Sequence, residues 1–241
     1  MKSVKVQFHV HTGRDPVDRP NHTEEEMLDF AAEKKYDVVA ITAHNTFIFD
    51  KELKSYAAKR NILLIPGIEK DIEGCHVLII NATKEAENVH NFHALQEYKK
   101  SHPDCIIIAA HPYYFTNFCL KEKLDQNHAL FDAIEYSWYH TRTINKWNKK
   151  AEKTAKKYRI PMIATSDNHI LKYFDQQYSL IDVEEKNWEE IRKGIKENRI
   201  VMNKNPLDFF EFIIVTIRMI GEISLGKKWK KLRDKFLTPN S

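Results

Sequence analysis

The sequence predicts an α/β domain built on a largely parallel sheet, and three observations carry that prediction. Short apolar runs of strand length alternate with polar, helix-patterned segments. About seven such units fit into roughly 200 residues, and no stretch rich in Pro, Gly or Ser interrupts them before the region around Pro206. This alternation suits a (β/α) barrel slightly short of the usual eight units, with an open doubly wound sheet as the alternative.

Each element follows from local pattern. V-K-V-Q-F (4–8) alternates apolar and polar residues and leads to a helix that starts at Thr23, with Glu26 three residues on completing a capping box. Y-D-V-V-A-I-T (36–42) is followed by helical K-E-L-K-S-Y-A-A-K-R (51–60). I-L-L-I-P-G-I-E (62–69) and C-H-V-L-I-I-N (75–81) precede a helical region near residues 85 to 100. C-I-I-I-A-A-H-P (105–112), A-I-E-Y-S-W (133–138) and P-M-I-A-T-S-D (161–167) come next, each trailed by a polar or helical segment. Y-S-L-I-D (178–182) with W-E-E-I-R-K-G-I-K (188–196) completes the series. There is no internal repeat and no low-complexity segment.

Composition narrows the chemistry. Cys75, Cys105 and Cys119 form an odd set without C-x-x-C spacing, which argues against a disulfide framework or a thiolate zinc site. They read as small buried hydrophobes in a reducing compartment. M-K-S-V-K-V-Q-F-H-V lacks the apolar stretch of a secretory signal, so a cytoplasmic location is the expectation. Of the formal net charge of +4, the surplus lies in the tail, where Lys227, Lys228, Lys230, Lys231, Arg233 and Lys235 face Asp234 alone. A basic surface for nucleic acid would therefore have to be looked for in the tail and is not assumed for the body.

Histidines and acids recur at one topological position. His9 and His11 close the first run, His44 follows the second, Glu69 follows the third, and His76 begins the next. His111 ends I-I-I-A-A-H-P, and Asp167 and His169 end I-A-T-S-D-N-H. Residues i and i+2 of a strand share a face, so His9 with His11 and Asp167 with His169 can converge. In a parallel barrel all strand C-termini open onto one rim, where residues distant in sequence meet. Singly, each would read as an ordinary strand-end histidine or turn acid; together they read as a site. Imidazoles and carboxylates without thiolates suit Zn, Mn or Fe, and the donors outnumber one tetrahedral centre, so two or three ions sharing carboxylate bridges is the economical arrangement.

In this order, F-H-V-H-T-G-R-D, A-I-T-A-H-N, P-G-I-E, H-V-L, A-A-H-P, A-I-E-Y and A-T-S-D-N-H resemble the PHP (polymerase and histidinol phosphatase) family of metal-dependent phosphoesterases, over about residues 4 to 205. The resemblance implies a distorted (β/α)7 TIM-like barrel with up to three metals at its C-terminal rim. It further implies one ion on His9, His11, Glu69 and Asp167, and a second on Glu69, His76 and His111. The third would take His44, His169 and an acid after His11, with Asp15 the choice and Asp18 the alternative. One departure stands out: many members read T-D-H-N where this chain has Thr42-Ala43-His44-Asn45, which removes an acid beside a ligand. Glu135 matches the family's I-E motif as a structural or supporting acid.

The implied activity is hydrolysis of a phosphate ester, a small-molecule or nucleotide monoester or diester, by a metal-activated water and without a protein nucleophile. Arg142 and Arg14 are candidates to grip the phosphate, and Tyr113 and Tyr114 to flank a base or sugar. The alternatives are a nuclease acting on nucleic-acid phosphodiesters and a metal-binding but catalytically weak module, the latter raised by Ala43. The sequence does not specify the oligomeric state.

The domain expected is 1–205, followed by an amphipathic helical extension, 206–241. Asp208, Glu211, Arg218 and Glu222 fall on one stripe of an otherwise apolar helix, too many ionisable groups for an ordinary membrane span. Packing within the chain or against a subunit is expected for 206–225. Reversible contact of 226–237 with an anionic membrane surface is the minority expectation.

Overall fold

The computed structural model describes residues 1–217. Nine strands form one sheet: β1 (Lys2–Gln7), β2 (Val38–Ile41), β3 (Leu63–Ile72), β4 (Cys75–Ile80), β5 (Ile106–Ala109), β6 (Ala133–Ser137), β7 (Met162–Thr165), β8 (Gln177–Val183) and β9 (Ile200–Lys204). Between them lie α1 (Glu24–Glu33), α2 (Lys51–Ala58), α3 (Phe92–Ser101), α4 (Glu122–Gln126), α5 (Lys146–Tyr158) and α6 (Trp188–Lys196). Helix starts follow their capping chemistry. Thr23 and Glu26 form the expected capping box on α1, and Asp50, Asn91 and Asn187 each accept a backbone N–H at the start of α2, α3 and α6.

The strand order is β7-β6-β5-β4-β3-β2-β1-β8-β9. β1, β2 and β3 are mutually parallel, as are β5, β6 and β7. β4 runs antiparallel to both β3 and β5, and β8 antiparallel to β1 and β9. The distortion of the barrel consists of these reversed strands. The sheet does not stay open: Ser179 on β8 accepts the N–H of Ala164 on β7 (2.8 Å) and donates to its carbonyl (3.1 Å). At the rim Asn168 N–H donates to His9 O (3.1 Å) and His11 N–H to Asn168 O (3.0 Å), tying the end of β7 to the end of β1.

Strand alternation splits the core. One face of β1 through β8 contributes Val4, Val6, Ala40, Ile65, Leu78, Ile108, Ala133, Ile163 and Ile181 to a common cluster, joined by Ile191 and Ile195 of α6. The opposite face packs against helices: Val39, Ile41 and Leu64 meet Met27, Leu28 and Leu53, while Val77, Ile79, Ile107 and Ile134 meet Leu95, Leu124 and Ala151. The α6 contact is close enough to require Gly194, where an added Cβ would lie 2.6 Å from Ile181 Cγ2.

Met1–Trp138 and Asn145–Asn205 form one compact unit; Tyr139–Ile144 and the described residues from Pro206 onward belong to a second. In the second, helical residues 209–217 begin at Asp208, which accepts the Glu211 N–H (2.8 Å), and the Tyr139 ring stacks on Phe212. The 226–237 segment expected to touch a membrane lies outside the described residues. Among the described residues no helix is long and apolar enough to cross a membrane.

Ser179 is buried and serves both backbone groups of Ala164, so Ser179→Ala should leave them unpaired in the core. A loss of about 1–3 kcal/mol in unfolding free energy is expected in urea titrations. An unchanged midpoint and slope would remove this contact from barrel closure.

Candidate metal centre

The rim collects the sequence-predicted donors from six strands. His9 and His11 follow β1, His44 follows β2, Glu69 lies on β3, His111 follows β5, and Asp167 and His169 follow β7. His76 opens a strand where the others close theirs. Because β4 is antiparallel, its first residues reach the same rim, and pairing of Glu69 with Leu78 puts His76 diagonally opposite Glu69 on the shared face. An isolated parallel bridge places His44 against Glu69.

Four donor atoms face one another across the rim. His9 Nε2 lies 3.2 Å from Glu69 Oε2 and 3.3 Å from Asp167 Oδ1; His11 Nε2 lies 3.3 and 3.4 Å from the same two oxygens. A tetrahedral ion with bonds of about 2.0–2.1 Å sets its donors about 3.3–3.4 Å apart, so the spacing fits such an ion. Despite that proximity, His9 Nε2 and His11 Nε2 are buried and have no hydrogen-bond partner. Glu69 Oε1, likewise without a hydrogen bond, faces His76 Nδ1 (2.9 Å) and His111 Nε2 (3.3 Å). Beyond it, His169 Nε2 lies 2.8 Å from Asp18 Oδ2, and His44 Nδ1 3.6 Å from the same oxygen. The buried His9 and His11 nitrogens and Glu69 Oε1, facing polar atoms without a hydrogen bond, form an arrangement that a bound cation would satisfy.

The outward nitrogens explain why the inward ones are free. His9 Nδ1 pairs with Glu135 Oε1 (2.8 Å), His169 Nδ1 with the Asp167 carbonyl (2.9 Å) and His111 Nδ1 with Cys119 Sγ (3.7 Å). Asp15 Oδ2 receives His11 Nδ1 (2.8 Å), His44 Nδ1 (3.0 Å) and the His44 N–H (2.9 Å), while its Oδ1 receives the N–H groups of Val17 and Asp18. His9, His11, His44, His111 and His169 are thus each held through Nδ1 and turn Nε2 towards the acids, whereas His76 presents Nδ1 to Glu69. Asp15 groups with His11 and His44 within coordinating reach, yet its lone pairs are already taken by five N–H groups.

Electrostatics follow from the crowding. Burial opposes charge on His9, but Asp167, Glu69 and Glu135 outweigh it and hold its pKa well above the ordinary value. His44 and His111 are raised against the same penalty, and His169 reaches about 9 through Asp167 and Asp18. Burial likewise pushes up the carboxyls of Glu69 and Asp167, but the surrounding imidazoles hold both well below the usual range.

Arg14 is engaged by Glu24 (3.1 Å) and Asp50 (3.5 Å), and Arg142 is an exposed residue of the 139–144 segment. Tyr113 is buried with its hydroxyl on Thr154 (2.6 Å), and Tyr114 is buried with its ring on His111, so rim packing accounts for both. Sequence reasoning missed two supports, Cys119 and His22; the latter's Nε2 meets the His11 carbonyl at 3.0 Å. Neither carries a local signal beyond residue type.

Residues 145–200 match the family model for PHP-associated segments. No curated protein matches the chain. Among solved structures, a Bacteroides vulgatus two-domain protein containing a predicted PHP-like metal-dependent phosphoesterase is 19% identical, with TM-score 0.68 over 85% of this chain and 65% of that one. PsfC from Pseudomonas syringae is 13% identical, with TM-score 0.62 over 93% of this chain and 100% of that one. The lesion-specific endonuclease PfuEndoQ from Pyrococcus furiosus is 16% identical, with TM-score 0.62 over 81% of this chain and 56% of that one. The chain therefore spans less than two thirds of the Bacteroides and Pyrococcus proteins. These structural matches show that the barrel fold is shared with those proteins, and the PHP-associated match covers residues 145–200 of this chain.

In protein stripped of divalent ions by chelation, the raised imidazoles carry protons that an incoming ion must displace. Affinity for Zn²⁺ or Mn²⁺ should weaken as pH falls from about 9 towards 6.5, because His169 titrates near 9 and His9, His44 and His111 above their ordinary value. Calorimetry in buffers of different ionisation enthalpy should show net proton release on binding. Affinity independent of pH without proton release would contradict this description.

Proposed function

We propose that this chain is a PHP-type, metal-dependent hydrolase of phosphate esters. The observation that carries the reading is the group of His9 Nε2, His11 Nε2, Glu69 Oε2 and Asp167 Oδ1, in which each histidine nitrogen lies 3.2–3.4 Å from both carboxylate oxygens and is buried without a hydrogen bond. In this reading a second ion is held by Glu69, His76 and His111, and a third by His44, His169 and Asp18. Asp18 is preferred to Asp15 because its Oδ2 meets His169 Nε2 (2.8 Å) from a partly exposed position, whereas Asp15 is consumed in holding His11 and His44. Divalent ions there would supply Lewis-acid activation of water and neutralise charge on phosphoryl oxygens.

The chain's own groups do the rest. Glu135, Asp15, Cys119 and the Asp167 carbonyl fix the imidazole orientations, so that donor geometry is set before substrate arrives. No serine or cysteine nucleophile is needed: Cys119 is buried with its sulfur on His111, and Cys75 is buried with a raised thiol pKa. Ala43 does not leave His44 without an acid, since Asp15 reaches it from the loop after β1. This supports turnover over a silent module. The nuclease alternative draws on the fold shared with PfuEndoQ and on the basic residues 227–235, and predicts salt-dependent binding to single strands.

Protein purified without chelator should contain more than one divalent ion per chain by mass spectrometry and hydrolyse p-nitrophenyl phosphate or its bis ester. His9→Ala, Glu69→Ala or Asp167→Ala should each lower turnover by about a thousandfold or more. Full activity in metal-free protein would falsify the reading.

The two acids separate by metal content. Asp18→Asn should lower the bound ions by about one per chain. Asp15→Asn should keep the number but weaken affinity about 10–100-fold, as loss of an orienting partner does. The opposite pattern in a chelator competition would return the ligand role to Asp15.

A further inference from the structure

Large apolar side chains on the barrel unit are exposed at few places: Met1, Val17, Phe115, Phe118 and Val201. Three of these border the metal centre. Val17 lies between Asp15 and Asp18, and Phe115 and Phe118 lie on the loop that leaves His111. Phe118 is 48% exposed although its ring stacks on His76, with centroids 5.0 Å apart and planes 15° apart. One face of the ring is therefore used and the other is open.

The loop holds this ring in place. Phe118 O accepts the His76 N–H (2.8 Å), Pro112 O accepts the Lys121 N–H (2.9 Å), and Thr116 Oγ1 meets Cys119 Sγ (3.1 Å). Beside the ring is an open cleft of about 490 Å³, whose lining includes Gly74, Asn117, Lys121 and Lys123. That volume is in the range of small-molecule sites.

We infer that the open face of Phe118 stacks on the nucleobase of a nucleoside phosphate whose phosphoryl group lies at the metal centre, making Phe118 a specificity-determining residue. The inference rests on the phosphoesterase reading and names its substrate class. Three features select a base. A flat exposed ring suits another flat ring, and base–aromatic stacking tolerates any base. The Asn117 amide in the cleft wall can meet a base edge, and Glu73, Lys121, Glu122 and Lys123 place charges there that a lipid chain would not call for. Phe118 stands one imidazole away from Glu69, because His76 touches both, so a spacer such as a sugar must separate phosphate from ring. An aryl phosphate, with its ring directly on the ester oxygen, does not span that gap.

The test compares nucleoside monophosphates with glycerol phosphate on the metal-loaded full chain. Phe118→Ala should raise KM for the nucleotides by about tenfold or more with little change in kcat, leave glycerol phosphate unchanged, and be rescued by Phe118→Tyr. Metal content equal to the parent's confirms that the variant is folded. Independently, Phe118→Trp should report nucleoside monophosphate binding by a change in fluorescence, with none for glycerol phosphate. Equal KM changes for both substrates, or no change for either, would overturn the inference while the phosphoesterase reading stands. If no phosphate ester is hydrolysed, that reading fails, and the fluorescence titration alone decides whether Phe118 binds a base.

Discussion

The buried charge of Glu69 is the constraint on which the rest of the site depends. Its carboxylate is almost wholly enclosed, and a buried, uncompensated carboxylate costs several kcal/mol. The barrel answers from both sides. Oε2 is approached by the Nε2 atoms of His9, His11 and His44, and Oε1 by His76 and His111. The topology delivers these groups. β3 lies between β2, which His44 follows, and β4, whose reversed direction returns His76 to the same rim. Backbone pairing across the rim, Asn45 N–H to Glu69 O and Glu69 N–H to Ala43 O, fixes the register in which this happens.

Holding the donors there strains the chain. Asn45, His111 and Asp167 all have left-handed φ, at +54°, +24° and +43°, although none is glycine, and His111 is also confined by the proline after it. Such residues cost about 1–3 kcal/mol each and persist where surrounding contacts over-determine them. Here they do. Asn45 Oδ1 accepts from Lys70 Nζ and the Asp71 N–H, the His111 N–H donates to Glu135 Oε2, and Asp167 sits beside the Asn168 bridge to His9.

Much of this was legible because hydrophobic periodicity marks strand ends, and parallel strands share a rim. H-x-H after V-K-V-Q-F and S-D-N-H after M-I-A-T needed no more than that. His76 is different, since it starts its run, and only the reversal of β4 explains it. Glu73-Gly74 between two apolar runs, with φ of +51° and +79°, is the two-residue hairpin signal that marks the reversal. The roles of Asp15 and Asp18 were not readable, because both lie in the same short loop and differ only in where their hydrogen bonds go. Nor does any local pattern place residues 139–144 with the segment after Pro206; that grouping arises from contacts such as Leu207 N–H to His140 O.

The supporting acids are shared, and sharing changes what a substitution measures. Glu135 holds the His9 ring through Oε1 and the His111 backbone through Oε2, so one carboxylate sets donors on both sides of Glu69. Asp15 in the same way joins His11 to His44. Removing either acid disturbs two imidazoles at once, and each of those faces Glu69, which in turn orients the remaining histidines. Groups coupled in this way do not contribute additively. A single variant at this rim therefore reports on the network, and the contribution of one residue can be separated only by pairing it with a change at the donor it holds.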